Sequence, residues 1–339
     1  MTRRGFFLTA PLTPMLMGAS DAGARLGVDL FSVRSQRWTP IESLDYCARL
    51  GAKLVHFSEI RFLGSLDDEN LRQVRDHAKK LDISVEIGMR SCCPTSKMFD
   101  PKLGTAEEQL IRMLNAARTI GSPIVRTVLG SAADRDPIER HIESTVRVLK
   151  GVRSRAMDLG VKIAIENHAG DMQARELKAL IESAGKEFVG VCLDSGNPLW
   201  TLEDPHLTLE TLSPYVLTAH FRDSAVWRVP EGAAVAWVRM GEGNVEIGEY
   251  IAKFRRLCPD RAITHETIVT GPRVFPYLDA KFWEPYRNQP AWEFARFLKI
   301  AEQGKPRLPF PALQGVAAQV REREALEASF SFTRNILNL

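Results

Sequence analysis

The chain predicts an α/β fold, a closed (β/α)8 TIM barrel with a C-terminal helical extension. Three observations carry the prediction. Short apolar, β-branched runs alternate strictly with amphipathic segments, eight of each. The runs are apolar almost throughout rather than at every second residue, which marks strands covered on both faces and therefore parallel. No Gly-x-Gly-x-x-Gly follows the first run, which argues against an open doubly wound sheet.

The elements follow in order. Strand 26–31 leads to helix 40–50, opened by Thr39-Pro40 and closed by Leu50-Gly51. Strand 53–58 leads to helix 67–81, and strand 83–88 to helix 105–120, closed by Gly121. Strand 124–129 precedes helix 137–159, closed by Gly160, and strand 161–166 precedes helix 173–184. Strand 189–194 is paired with helix 205–212, strand 216–221 with helix 247–257, and strand 262–266 with helix 290–303. The barrel domain thus spans 25–304, within the usual size of this architecture. Connections 223–245 and 267–289 are long enough to expect a function for them. They carry Trp227, Trp237, Phe275, Tyr277, Phe282, Trp283 and Tyr286, which either meet the apolar face of a sugar or pack on one another. Residues 305–339 add a proline-marked linker and a helix with an apolar stripe through Leu326 and Phe330. That stripe must dock on its own barrel or on a partner, so a homo-oligomer through this helix is one expectation.

Composition excludes several classes. The 45 basic and 42 acidic residues leave a net charge of +3, too balanced for a nucleic-acid surface. No apolar run reaches the ~18 residues of a membrane span. Five scattered cysteines give neither a disulfide framework nor zinc-type spacing. The segment 1–24 resembles a twin-arginine signal peptide. Arg3-Arg4 precedes an apolar stretch and Ala22-Gly23-Ala24, which predicts periplasmic export; without it the protein is cytoplasmic.

Four residues stand at the ends of four consecutive strands: Glu166, Asp194, His220 and Glu266, spaced by 28, 26 and 46 residues. Side chains at equivalent ends of neighbouring parallel strands converge, and a barrel builds its site at that end. Three carboxylates and one imidazole make a site for one divalent metal, Mn²⁺ or Mg²⁺, with Co²⁺ or Zn²⁺ tolerated. Alternation puts Ala164, Cys192, Thr218 and Thr264 beneath the ligands and turns His265 outward. Arg222 shares the inward parity, and Arg126 on the fourth strand reaches the same pocket. His56 and Glu86 read as hydrogen-bonded structural residues. Glu166 and Glu266 come from opposite ends of the ligand arc, so one can remove a proton next to a carbonyl and the other return it.

Ile-Glu-Asn-His at 165–168, Leu-Asp-Ser-Gly-Asn at 193–197, His-Phe-Arg-Asp at 220–223 and His-Glu-Thr at 265–267 make the chain resemble the xylose isomerase-like superfamily. Within it, the resemblance is to the sugar phosphate isomerase/epimerase group, also called AP endonuclease family 2, over roughly residues 25–304. The resemblance implies that Glu166, Asp194, His220 and Glu266 bind the metal and that Glu166 and Glu266 form the acid/base pair. It makes His168 a group for the substrate. Asn197 stands where DNA endonucleases of the superfamily have a ligand histidine, which points away from DNA and from a three-metal site. The expected function is metal-dependent isomerisation or epimerisation of a small sugar or hydroxy-ketone through a metal-stabilised enediolate. His168, Asn197, Arg222, Arg126, Trp227 and Trp237 are expected to contact the substrate. The alternatives are a lyase using the same enediolate (dehydratase, 3-keto-glycoside eliminase or decarboxylase) and a non-catalytic sugar-binding barrel.

Overall fold

The computed structural model describes residues 24–308 and 310–339; the export segment expected at 1–24 lies, but for Ala24, outside the described residues. Eight parallel strands close a ring: β1 (Leu26–Asp29), β2 (Leu54–Phe57), β3 (Ser84–Ser91), β4 (Ile124–Val128), β5 (Lys162–Glu166), β6 (Val189–Asp194), β7 (Val216–Phe221) and β10 (Ile263–His265), which pairs back to β1. Between β7 and β10 lie β8 (Asp223–Val229) and β9 (Gly232–Val238), and β11 (Arg273–Phe275) follows β10. The helices are α1 (Pro40–Leu50), α2 (Ile60–Leu63), α3 (Asp68–Lys80), α4 (Ala106–Ile120), α5 (Ile138–Leu159), α6 (Ala174–Ala184), α7 (Pro205–Leu212), α8 (Ile247–Leu257), α9 (Ala291–Gln303) and α10 (Gly315–Leu337).

Local chemistry explains the clean helix ends. Thr39 and Glu42 form a reciprocal capping box on α1, as do Thr105 and Glu108 on α4. Gly51, Gly121 and Gly160 close α1, α4 and α5 in the left-handed conformation. The strands are buried almost without exception, because helices cover the outside and side chains fill the inside.

Two expectations need correction. The segments read as loops are in fact an antiparallel sheet in the order β11-β9-β8. Asp223 to Val229 pairs residue for residue with Val238 to Gly232 across the turn at Pro230-Glu231. Val226, Trp227, Val229, Val235 and Val238 favour strands, and the small Ala225, Ala233, Ala234 and Ala236 let the ribbon be buried on both faces.

The second correction concerns the outer layer. Segment 290–303 was expected to be the eighth barrel helix. Instead α9 packs on the ribbon: Tyr277 meets Phe294 and Phe297 edge-on, and Asn244 Nδ2 donates to both Val226 O and Ile300 O. The eighth place belongs to α10. It lies between α1, through Tyr46 OH donating to Glu327, and α8, where Gly248 faces Ile336. Its Phe330 ring lies 5.3 Å from His265 on the outside of β10, and Ser35 donates to Glu322 by both N and Oγ. The apolar stripe therefore docks on its own barrel. Among the described residues, no helix is long and apolar enough to cross a membrane.

Candidate metal centre

Glu166 ends β5, Asp194 ends β6, His220 lies one residue from the end of β7, and Glu266 follows β10 directly. Asp194 and His220 are register partners, so the barrel stagger brings their side chains level. The ligand atoms of Glu166, Asp194, His220 and Glu266 all lie within 4.8 Å of one another, and all four residues are buried. His220 Nδ1 is 3.0 Å from Glu266 and 3.4 Å from Glu166, yet it has no aligned hydrogen-bond partner. An orphaned imidazole nitrogen facing three carboxylates fits a divalent cation. Glu166, Asp194, His220 and Glu266 are the residues that could hold one.

The motif residues around them set the geometry. Asn167 copies a strand partner: its Nδ2 donates to Asp194 O and its Oδ1 accepts from Asp194 N, stitching the ends of β5 and β6 together. Asp194 Oδ1 accepts from Gly196 N and Asn197 N, which fixes the turn beyond β6. Ser195 Oγ accepts from Arg222 N and donates to Arg222 O, tying that turn to β7. At Gly196 a Cβ would lie 2.6 Å from the Arg222 Cβ, so only glycine admits the arginine here. Asp223 holds the far end of the ribbon by accepting from Gly241 N and Gly243 N.

Two guanidiniums meet the carboxylates. Arg222 Nε donates to Asp194 Oδ2 at 2.7 Å and its Nη2 donates to Glu266, while Arg126 Nε donates to Glu166 Oε2 at 2.6 Å. Burial alone would raise the Glu166 carboxyl, but Arg126 and His220 hold it well below the usual range. Glu266 is likewise opposed by burial and brought down to about 2 by Arg222 and His220. Burial wins at Asp194, pushed up to about 7 despite Arg222. Burial also opposes a charged His220, but Cys192, Asp29 and Glu266 around the ring outweigh it and raise its pKa.

The remaining expected site residues divide. Asn197 is at the centre: Nδ2 donates to Glu166 Oε1 at 3.2 Å and to Asn167 O, and Oδ1 is buried without a partner. His168 is half-buried next to it, with Nδ1 2.7 Å from Gly130 O and a pKa lowered by burial. Trp237 reaches the site indirectly. The Arg222 guanidinium lies 4.6 Å from its ring, Trp200 lies 4.3 Å away, and its Nε1 donates to Gly196 O. Trp227 is not brought to the site; it is buried with Ala225, Ala234, Ala236 and Val238 on the ribbon. The aromatics of 267–289 pack on one another, on α9 and on Trp200, with Phe282 stacked on Tyr286, Trp283 edge-on to Phe294 and Phe275 edge-on to Trp200.

Two residues beside the centre were not singled out as part of it, Asp29 on β1 and His56 on β2. They are register partners, and both meet the far side of His220. Asp29 ends β1 in the structure, whereas the strand expected at 26–31 ran two residues past it. His265 faces outward with both ring nitrogens unpartnered, its pKa lowered by burial to about 3.

A closed parallel barrel with a carboxylate–imidazole cluster at the C-terminal strand ends defines a TIM barrel with a candidate cation site. More particularly, the chain belongs to the xylose isomerase-like TIM barrel family, whose model matches residues 44–283. It is 25% identical over 244 residues to 3-oxo-isoapionate decarboxylase of Pectobacterium atrosepticum, covering 72% of this chain and 78% of that protein. Among solved structures, a D-psicose 3-epimerase in the presence of D-fructose superimposes with a TM-score of 0.61 at 16% identity, covering 92% of this chain and 99% of that one. The probable 3-DHS dehydratase AsbF of Bacillus anthracis gives 0.57 at 15% identity, covering 79% and 99%. At these identities the two structures speak for the fold alone.

Proposed function

We propose that the protein is a divalent-metal-dependent isomerase or epimerase that removes a proton next to the carbonyl of a small sugar or hydroxy-ketone and returns it. The observation that carries this reading is the buried cluster of Glu166, Asp194, His220 and Glu266, with its two glutamates at the ends of the strand arc β5-β6-β7-β10. A bound Mn²⁺ or Mg²⁺ would supply Lewis-acid polarisation of the carbonyl and stabilise charge developing on its oxygen. Glu166 and Glu266, kept ionised by Arg126 and Arg222, then face the substrate carbon as a base and as the partner that returns the proton. Arg222, braced by Trp237, holds a substrate oxygen, and the unpaired Oδ1 of Asn197 accepts a substrate hydroxyl. His168 is the neighbouring group for a further hydroxyl.

The test is solvent deuterium exchange into a ketose. Glu166→Gln and Glu266→Gln should each abolish exchange while leaving the melting temperature near wild type. Exchange retained in both variants would remove the mechanism.

A second reading, a lyase with decarboxylation foremost, is favoured by the two buried guanidiniums. Arg126 and Arg222, which here donate to Glu166 and Asp194, would be free to hold an anionic group of the substrate, such as a 3-keto acid carboxylate, were those carboxylates to hold a divalent cation. The 25%-identical relative is named as a decarboxylase. Product mass separates the readings: an isomer of equal mass supports the first, and loss of carbon dioxide, water or an aglycone supports the second.

A further inference from the structure

We infer that Asp29 and His56 are positioning residues for the metal centre: together they hold the Nε2 side of His220 so that Nδ1 faces the carboxylate cluster. The inference rests on the proposal that Glu166, Asp194, His220 and Glu266 hold a divalent cation.

The argument starts from the two nitrogens of one ring. A histidine ligand offers a lone pair, so its proton sits on the other nitrogen. In His220 the nitrogen facing Glu166 and Glu266 is Nδ1, which leaves the proton on Nε2. That nitrogen has two neighbours. His56 Nδ1 is 2.9 Å away and is placed to accept the hydrogen bond. Asp29 Oδ2 is 3.1 Å away, an ion-pair contact rather than an aligned hydrogen bond.

The Asp29 carboxylate is itself fixed. Its Oδ1 accepts from Phe31 N at 2.7 Å and from Ser58 Oγ at 2.8 Å, so it cannot turn away from the ring. Its Oδ2 has no aligned donor, although the residue is fully buried. A buried carboxylate oxygen without a donor is costly unless a neighbouring N–H or charge compensates it. The His220 Nε2–H is the compensating group at hand. The His56 ring lies 4.9 Å from the His220 ring, tilted by 59°, and blocks rotation towards β2. Such outer partners fix the tautomer and raise the basicity of a ligating imidazole. Asp29, His56 and His220 sit on β1, β2 and β7, so the device ties β1 and β2 to the centre through His220.

Calorimetric titration of metal-free protein with Mn²⁺ tests this, alongside the melting temperature of the same metal-free samples. Asp29→Asn keeps the shape and removes the charge; His56→Phe keeps a ring and removes the acceptor. Each should weaken Mn²⁺ binding by about 10–100-fold, the usual cost of losing such a partner, and their combination should weaken it further. Asp29→Ala serves as the larger truncation, and the isosteric Asp29→Asn keeps the test available should alanine disturb the fold. Unchanged Mn²⁺ affinity in Asp29→Asn and His56→Phe, with only the metal-free melting temperature lowered, would show a purely structural role and overturn the inference. A second Mn²⁺ per chain that disappears in Asp29→Asn would make Asp29 and His56 ligands themselves, which also overturns it. Wild-type protein that takes up no divalent cation would instead defeat the proposed function, so the two failures are distinguishable.

Discussion

Glu203 follows the turn beyond β6, buried, with its oxygens accepting from Ala174 N and Thr201 Oγ1. Burial raises its pKa from 4.5 to about 8. The native state therefore keeps a proton that the unfolded chain releases. The stabilising contribution is complete below about pH 4.5 and is lost as the pH rises through about 8. Glu203→Gln keeps the acceptor for Ala174 and mimics the protonated acid. Its melting temperature should fall less across that window than that of wild type; parallel curves would rule out Glu203 as the source. At this scale the convergence of Glu166, Asp194, His220 and Glu266 was legible in the sequence, because each sits at a strand end and strand ends converge. Asp29 and His56 were not read as part of the centre, since a lone polar residue on a strand looks the same whether it hydrogen-bonds locally or backs a ligand. Trp227 and Trp237 look alike in sequence, yet opposite pleat directions and the reach of Arg222 put only Trp237 beside the site.

At the scale of elements, α10 closes the outer layer over β10 and β1. Phe330 is buried against His265, and Leu326 is buried beside it. Phe330→Ala should cost about 3–5 kcal/mol, as large-to-small changes of buried aromatics do, measured by urea unfolding. A cost within the range of an exposed substitution would show that α10 is an appendage. The sequence made the helix and its stripe legible but not the surface it covers. Amphipathic periodicity states that one face must be buried and is silent about the partner. The same limit applies to α9, whose pattern fits a barrel helix although it packs on the ribbon. The ribbon itself escaped because both of its strands lie within a single connection whose length matched that of a functional loop.

For the molecule as a whole, the charge of the cluster is what a candidate cation would meet. Asp29, Glu166, Asp194 and Glu266 gather four carboxyl groups around Arg126 and Arg222. Without an ion, the Asp194 carboxyl and the His220 imidazole both have raised pKa values. A divalent cation would bring two positive charges to the cluster. Mn²⁺ at about 100 times its dissociation constant should therefore stabilise the fold by about 2.7 kcal/mol, read as a rise in melting temperature that EDTA reverses. Glu266→Gln should blunt the rise. No response to Mn²⁺, Mg²⁺, Co²⁺ or Zn²⁺ in wild type would count against a metal centre.

The sequence by itself determined the barrel, its strand order, the four convergent side chains and the motif that places the chain in its family. These follow from local periodicity and from the rule that consecutive parallel strands present equivalent ends side by side. Only the tertiary structure decided which helix completes the outer ring, that the long connections form a sheet, and that Asp29 and His56 stand behind His220. Each of those depends on contacts between segments far apart in the chain, and their strength is set by packing and register rather than by any local pattern.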